Sequence, residues 1–342
     1  MIQFPHADFV LPGFAAQPHG LASSITLAAF AYSRRTNQRR LEDPFYGFWS
    51  HIFFCLIFDL APDVFLVPQL IIYDPSVATD ADHSIGTIAD NKANDGRPDF
   101  VIMAASVMNR YLTNRVAADT ATLQPRFPTD FMLWNYMKIL VAHPLVIAEL
   151  KTCASRSVTR DKFMDQLRTL MRDATDQLEE RADLIFNASN KYQGVNKLIL
   201  IAACGEWWIF KIARRESYTF SNMFSSDLHN SEIDSEEMMA YNPALPQDTP
   251  QGPRPTNICR HVDDAVLNDP SFSESAVEDL DAATPTEDEW SLHINFGTKA
   301  SNQRMYLIHE LLRELRAEMG AGGTPDYDSE VCSFSRNVFT PY

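Results

Sequence analysis

The sequence predicts an α/β fold, a β-sheet with helices packed against it, and three observations carry that expectation. First, Ser157 to Ser189 has Phe163, Leu167, Leu170, Met171, Ala174, Leu178, Ala182 and Ile185 three or four residues apart. That spacing puts one apolar stripe on a long amphipathic helix. Second, three β-rich runs precede it: "DVFLVPQLIIYDP" (63–75), "RPDFVIMAASVM" (97–108) and "PLVIAELKT" (144–152). Third, "NKLILIAACGEWWIFKIARR" (196–215) follows it as two apolar runs around Gly205, the pattern of a hairpin.

In chain order, residues 1–20 form an irregular arm broken by Pro5, Pro12 and Pro18. A core spans 21–217. Its first part, Leu21 to Ala61, has helical spacing, and the stretch up to Ala61 is apolar on every face, so it is buried; Pro62 stops it. Pro68 marks the first β-run as an edge strand or a bulge. Residues 78–96 read as a polar loop. An insertion at about 109–143 carries an expected helix, "DFMLWNYMKILVAH" (130–143). Residues 218–289 read as an acidic, flexible insertion, since Ser, Asp, Glu and Pro replace apolar periodicity. The tail, 290–342, holds the strand "WSLHINF" and a helix over Ser301 to Gly320, with Met305, Ile308, Leu312 and Leu315 on one face.

Composition narrows the function. The 342 residues are 45% hydrophobic, enough for a sizeable core, yet no apolar run reaches the 18 or so residues of a membrane span. The N-terminus lacks a basic and then apolar leader. Five scattered cysteines without a CxxC pair suit reduced thiols, in a nuclear or cytoplasmic protein that is not secreted. From Asp227 to Glu289 there are sixteen Asp/Glu against two Arg, a net charge of −14 out of −16, so the rest is nearly neutral. That segment has three readings: it solvates the chain, it covers a nucleic-acid groove as an autoinhibitor, or it binds a basic partner such as a histone. No HExxH or GxSxG is present, and "GAGG" follows a helix instead of opening one, which argues against zinc proteases, serine hydrolases and phosphate loops. Trp207 and Trp208 suit either base stacking or the core.

The chemistry lies at the strand ends. Glu149 and Lys151 are two apart on one strand, so they share a face. If the second and third strands pair, Asp99 joins them. Two carboxylates suit a hard divalent cation, which polarises a phosphodiester and activates water. A lysine beside it orients that water and stabilises developing charge. The simpler alternative is a solvated salt-bridge cluster.

"RPDFVI … PLVIAELKT", with Pro98, Asp99, Glu149, Leu150 and Lys151, resembles the PD-(D/E)XK nuclease superfamily, in particular its divergent fungal members. "CGEWW" (204–208) is similar to a late element of those members. The resemblance covers Leu41 to Arg215. It implies a restriction-endonuclease-like αβββαβ core, a mixed sheet flanked by helices, here with helical additions. It further implies a hydrolase of phosphodiester bonds, DNA before RNA, with Mg²⁺ or Mn²⁺ held by Asp99, Glu149 and the Leu150 carbonyl. Glu42, beside Asp43, matches a helix carboxylate completing that metal site. Gln166 or Gln177 matches a glutamine on the following helix, where relatives also carry Gln at the place of Arg181. Arg97, Lys92, Lys162, Arg168 and Arg181 are candidate phosphate-binding groups. Many proteins of this fold dimerise, and Ser301 to Gly320 offers a surface for a homodimer. The alternative is an inactive nuclease fold serving as a protein or nucleic-acid interaction module, consistent with the acidity.

Overall fold

The computed structural model describes residues 4–33, 35–38, 41–72, 96–109, 131, 134, 137–155, 158–187, 192–221, 265–286 and 288–321. Its centre is a six-stranded sheet in the order β1-β2-β3-β4-β5-β6: β1 (Val64–Pro68), β2 (Phe100–Asn109), β3 (Met137–Lys151), β4 (Lys197–Cys204), β5 (Trp207–Arg214) and β6 (Ile294–Asn295). Only β3 and β4 pair in parallel; the other neighbours are antiparallel. The chain is therefore an α/β protein with a mixed sheet flanked by helices.

Both sheet faces are buried, which explains the nearly continuous apolar runs of β3 and β4. Along β4, Ile199, Ile201 and Ala203 point to one core, and Leu198, Leu200 and Ala202 to the other. The first core is closed by α3 (Asp43–Leu56), through Trp49, Ile52 and Phe53, and by α6 (Lys299–Ala321), through Met305, Ile308, Leu312 and Leu315. The short α1 (Pro12–Ala16) and α2 (Gly20–Tyr32) pack against α3. The second core is closed by α4 (Arg160–Asn187), whose stripe from Phe163 to Ile185 is buried. Because α6 spends its apolar face on the sheet, that face is not open to a second copy.

The β4–β5 connection is a two-residue turn with Gly205 at φ +64°. A positive φ at the first turn residue suits glycine and matches the twist of a tight hairpin. Trp49 Nε1 donates to the Gly205 carbonyl at 2.8 Å, fixing α3 to this turn.

Three expectations need correction. The helix expected over 130–143 is instead, from Met137 onward, the first half of β3. Register shifts leave Leu145 and Leu140 without partners on β2, and these bulges let Pro144 sit inside a long strand. The flexible insertion over 218–289 is ordered at both ends. Tyr218 is buried on α5 (Arg215–Ser221), and Val266, Phe272 and Ala283 are buried farther on. Buried Arg304 on α6 holds the latter region through Glu274 (2.7 Å) and the Ser275 carbonyl (2.8 Å). Residues 222–264 lie outside the described residues, as does the polar loop over 78–95. Finally, the arm over 1–20 contains α1 and buries Ala7 and Leu11.

Candidate active site

Where β2 begins, β3 ends. The register pairs Phe100 with Ala148, so Asp99, one residue ahead of β2, lies opposite the last residues of β3. Asp99 Oδ2 accepts the Leu150 N–H at 2.7 Å. Its Oδ1 accepts the Tyr46 hydroxyl from α3. A peptide N–H and C=O of one strand residue point to the same edge, so the Leu150 carbonyl also faces the gap beyond β2. Glu149 and Lys151 continue the face of Ile147, which looks toward α4.

That geometry makes one connected network. Lys151 Nζ donates to Glu149 Oε1 and to Gln177 Oε1, each at 2.9 Å. The other Glu149 oxygen is held by the Arg181 guanidinium, one helical turn beyond Gln177. Asp99 and Glu149 are only 8% and 5% exposed, which makes their charges costly without these partners.

Burial, then the Asp99 carboxylate, pushes the Glu149 carboxyl above its usual range; Arg181 and Lys151 offset only part of this. Burial, then Asp99, also raises Glu42 at the N-terminus of α3. Burial and the hydrogen bond to Asp99 push the Tyr46 phenol well above its ordinary value. Glu42, Asp99 and Glu149 thus feel one another's charge. A raised carboxyl favours the protonated form in the fold, so its stabilising contribution is full below the unfolded value and is lost as pH rises through the folded one. Glu42→Gln, a neutral mimic, should therefore raise Tm by about 1–3 °C at pH 7.5. The gain should vanish near pH 4, as read by parallel thermal melts.

The donors suit a hard cation: carboxylates of Asp99, Glu149 and Glu42 and the Leu150 carbonyl are all oxygen. Among the described residues no group of three His, Cys, Asp or Glu converges as a ready ligand set. Mg²⁺ does not require one, since it is commonly held by one or two carboxylates together with water and substrate phosphate. The donor set fits, provided that the pair between Glu149 and Arg181 opens.

The two glutamines separate. Gln177 reaches Lys151, whereas Gln166 Oε1 accepts the Ser155 N–H at 3.0 Å and lines a separate cavity of about 480 Å³ with Thr152, Ser155 and Thr169. They share a helix face, but eleven residues at ~1.5 Å rise place them roughly 16 Å apart, so one ammonium cannot meet both. Of the candidate phosphate groups, Arg97 and Lys162 are exposed, and Arg168 lies over the Phe272 ring at 5.1 Å. Lys92 lies outside the described residues. Trp207 and Trp208 are core residues, 2% and 0% exposed, so they form no base-stacking platform.

Sequence reasoning missed Tyr46, which looks like one more core aromatic on α3. Its place four residues after Glu42 was the available signal. It also missed Gly96. A Cβ there would meet Arg181 Cγ at 2.9 Å, so this glycine makes room for the arginine stem.

No family model matches the chain, and no curated protein matches it. No described helix is long and apolar enough to cross a membrane.

Proposed function

We propose that the chain is a divalent-metal-dependent nuclease of the PD-(D/E)XK type, acting on DNA before RNA. One observation carries this reading: the Asp99 carboxylate accepts the N–H of Leu150, the residue between Glu149 and Lys151. Two motifs about fifty residues apart thereby meet at one point. The order α3, β1, β2, β3, α4, β4, with antiparallel, antiparallel and parallel pairings, supports a restriction-endonuclease-like core. The five scattered cysteines, with no CxxC pair, are consistent with a reducing compartment, nuclear or cytoplasmic.

Asp99, Glu149, Glu42 and the Leu150 carbonyl would hold Mg²⁺ or Mn²⁺. When bound, such an ion polarises the phosphodiester and lowers the pKa of water. The protein groups do the positioning. Tyr46 and the Leu150 N–H fix the Asp99 carboxylate. Gln177 and Glu149 fix the Lys151 ammonium, which orients the attacking water and stabilises negative charge at the phosphorus oxygens.

A second reading, an inactive nuclease fold acting as an interaction module, draws support from the pairing of both Glu149 oxygens with protein cations. Cleavage of supercoiled plasmid, single-stranded DNA and RNA in Mg²⁺ or Mn²⁺ separates the two. The enzyme reading expects DNA cleavage by the wild type and a loss of about 10³-fold or more in Asp99→Ala. Cleavage of equal rate in both, or in neither, rejects it.

A further inference from the structure

Arg181, a candidate phosphate-binding group, is paired with Glu149, and the fold builds a place for it. Its guanidinium lies on Glu149, with side-chain exposures of 14% and 7%. Its stem crosses Gly96, where a Cβ would come within 2.9 Å of Arg181 Cγ and 3.2 Å of Leu184 Cδ1. Gly96 itself is fixed to Ile72 by two backbone hydrogen bonds of 2.8 and 2.9 Å.

The charges of the cluster suggest what Arg181 does. Glu42, Asp99 and Glu149 lie within range of one another's charge, and Lys151 and Arg181 both pair with Glu149, so these five groups carry one negative charge in excess when ionised. A divalent cation turns this into one positive charge in excess, and one phosphodiester cancels it. The site is balanced when metal and phosphate are both present, and a guanidinium released from Glu149 is a planar donor fork that matches phosphate oxygens.

We propose that Arg181 is an exchangeable counter-ion: it holds Glu149 while the metal is absent, yields that oxygen to the incoming divalent cation, and then pairs with the substrate phosphate. Metal loading is thereby coupled to substrate binding. The inference rests on the metal-dependent reading and gives Arg181 a positioning role inside it.

The test is isothermal titration of the full chain with Mn²⁺ alone, and of the Mn²⁺-loaded chain with a short phosphorothioate DNA duplex. Arg181→Gln is expected to bind Mn²⁺ about tenfold more tightly than the wild type and the duplex about tenfold more weakly, the scale of coupling between ligands in contact. Exposed Arg172, on the same helix as Arg181, serves as the control for bulk electrostatics; Arg172→Gln should change Mn²⁺ affinity less than about twofold. Arg181→Lys, which keeps a charge on a similar stem, should fall between wild type and Arg181→Gln, and melting curves verify that each variant is folded. Unchanged or weaker Mn²⁺ binding by Arg181→Gln, or an effect equalled by Arg172→Gln, overturns the exchange. If Glu149→Gln abolishes Mn²⁺ binding while Arg181→Gln leaves it unaltered, the exchange fails and the metal site stands. If neither the wild type nor Arg181→Gln binds Mn²⁺, both fail together.

Discussion

Lys151→Ala is expected to lower single-turnover DNA cleavage by about 10³-fold, within the range for removing a positioned acid–base or charge-stabilising group. Two of the three donors of its ammonium go to Glu149 and Gln177, each at 2.9 Å, which leaves one for a water or phosphate oxygen. Alanine removes that donor and nothing comparable replaces it. Arg181 still pairs with Glu149, so the buried carboxylate is not stranded and the fold is expected to survive, with Tm within a few degrees of wild type. Lys151→Arg should not restore cleavage, because a guanidinium stays protonated and spreads its charge over a fork. The measurement is the rate on a fluorescent duplex with a melting curve for each variant. A rate loss no larger than the loss of folded protein would show that Lys151 serves the fold alone.

Trp49→Ala is expected to carry the largest stability loss, about 3–5 kcal/mol, as for other buried large aromatics. Trp49 is fully buried, with Phe53 at 5.5 Å and Phe296 at 6.2 Å between ring centroids. Its indole N–H also satisfies the Gly205 carbonyl. Truncation opens a cavity and strands that acceptor at once. Because α3 carries Tyr46 to Asp99, the same change loosens the site. Trp49→Phe keeps most of the ring and loses the N–H, so its cost should be smaller, about 1–3 kcal/mol. Denaturant midpoints for the two variants check the order. A Trp49→Ala protein as stable as the wild type would mean that α3 is not anchored by this contact.

Much of the site was legible because strand geometry is simple. A period of two puts Glu149 and Lys151 on one face, and the run of apolar residues before them implies burial. Asp99 needed only the pairing of adjacent strands. The order of helices and strands around the sheet was legible for the same reason, since α4 and α6 keep helical spacing throughout. The first half of β3 was not. Bulges at Leu140 and Leu145 interrupt the alternation, and Pro144 imitates a boundary. The choice between Gln166 and Gln177 was also hidden, because helical phase equates them and only position along the axis separates them. Val266, Phe272 and Ala283 are too sparse in an acidic run to show a period; Val266 and Phe272 are buried in the core shared by α4 and the sheet. Tyr46 and Gly96 become site residues only through contacts between distant parts of the chain, and so does the pairing of Arg181 with Glu149.

The most direct measurement is the Mg²⁺ dependence of supercoiled-plasmid nicking by the wild-type chain, read first in EDTA and then after excess Mg²⁺ is restored. Nicking that is absent in EDTA and returns with Mg²⁺ is the expected result. Nicking that is equal in EDTA and Mg²⁺, or absent in both, contradicts a metal-dependent nuclease site at Asp99, Glu149 and Lys151.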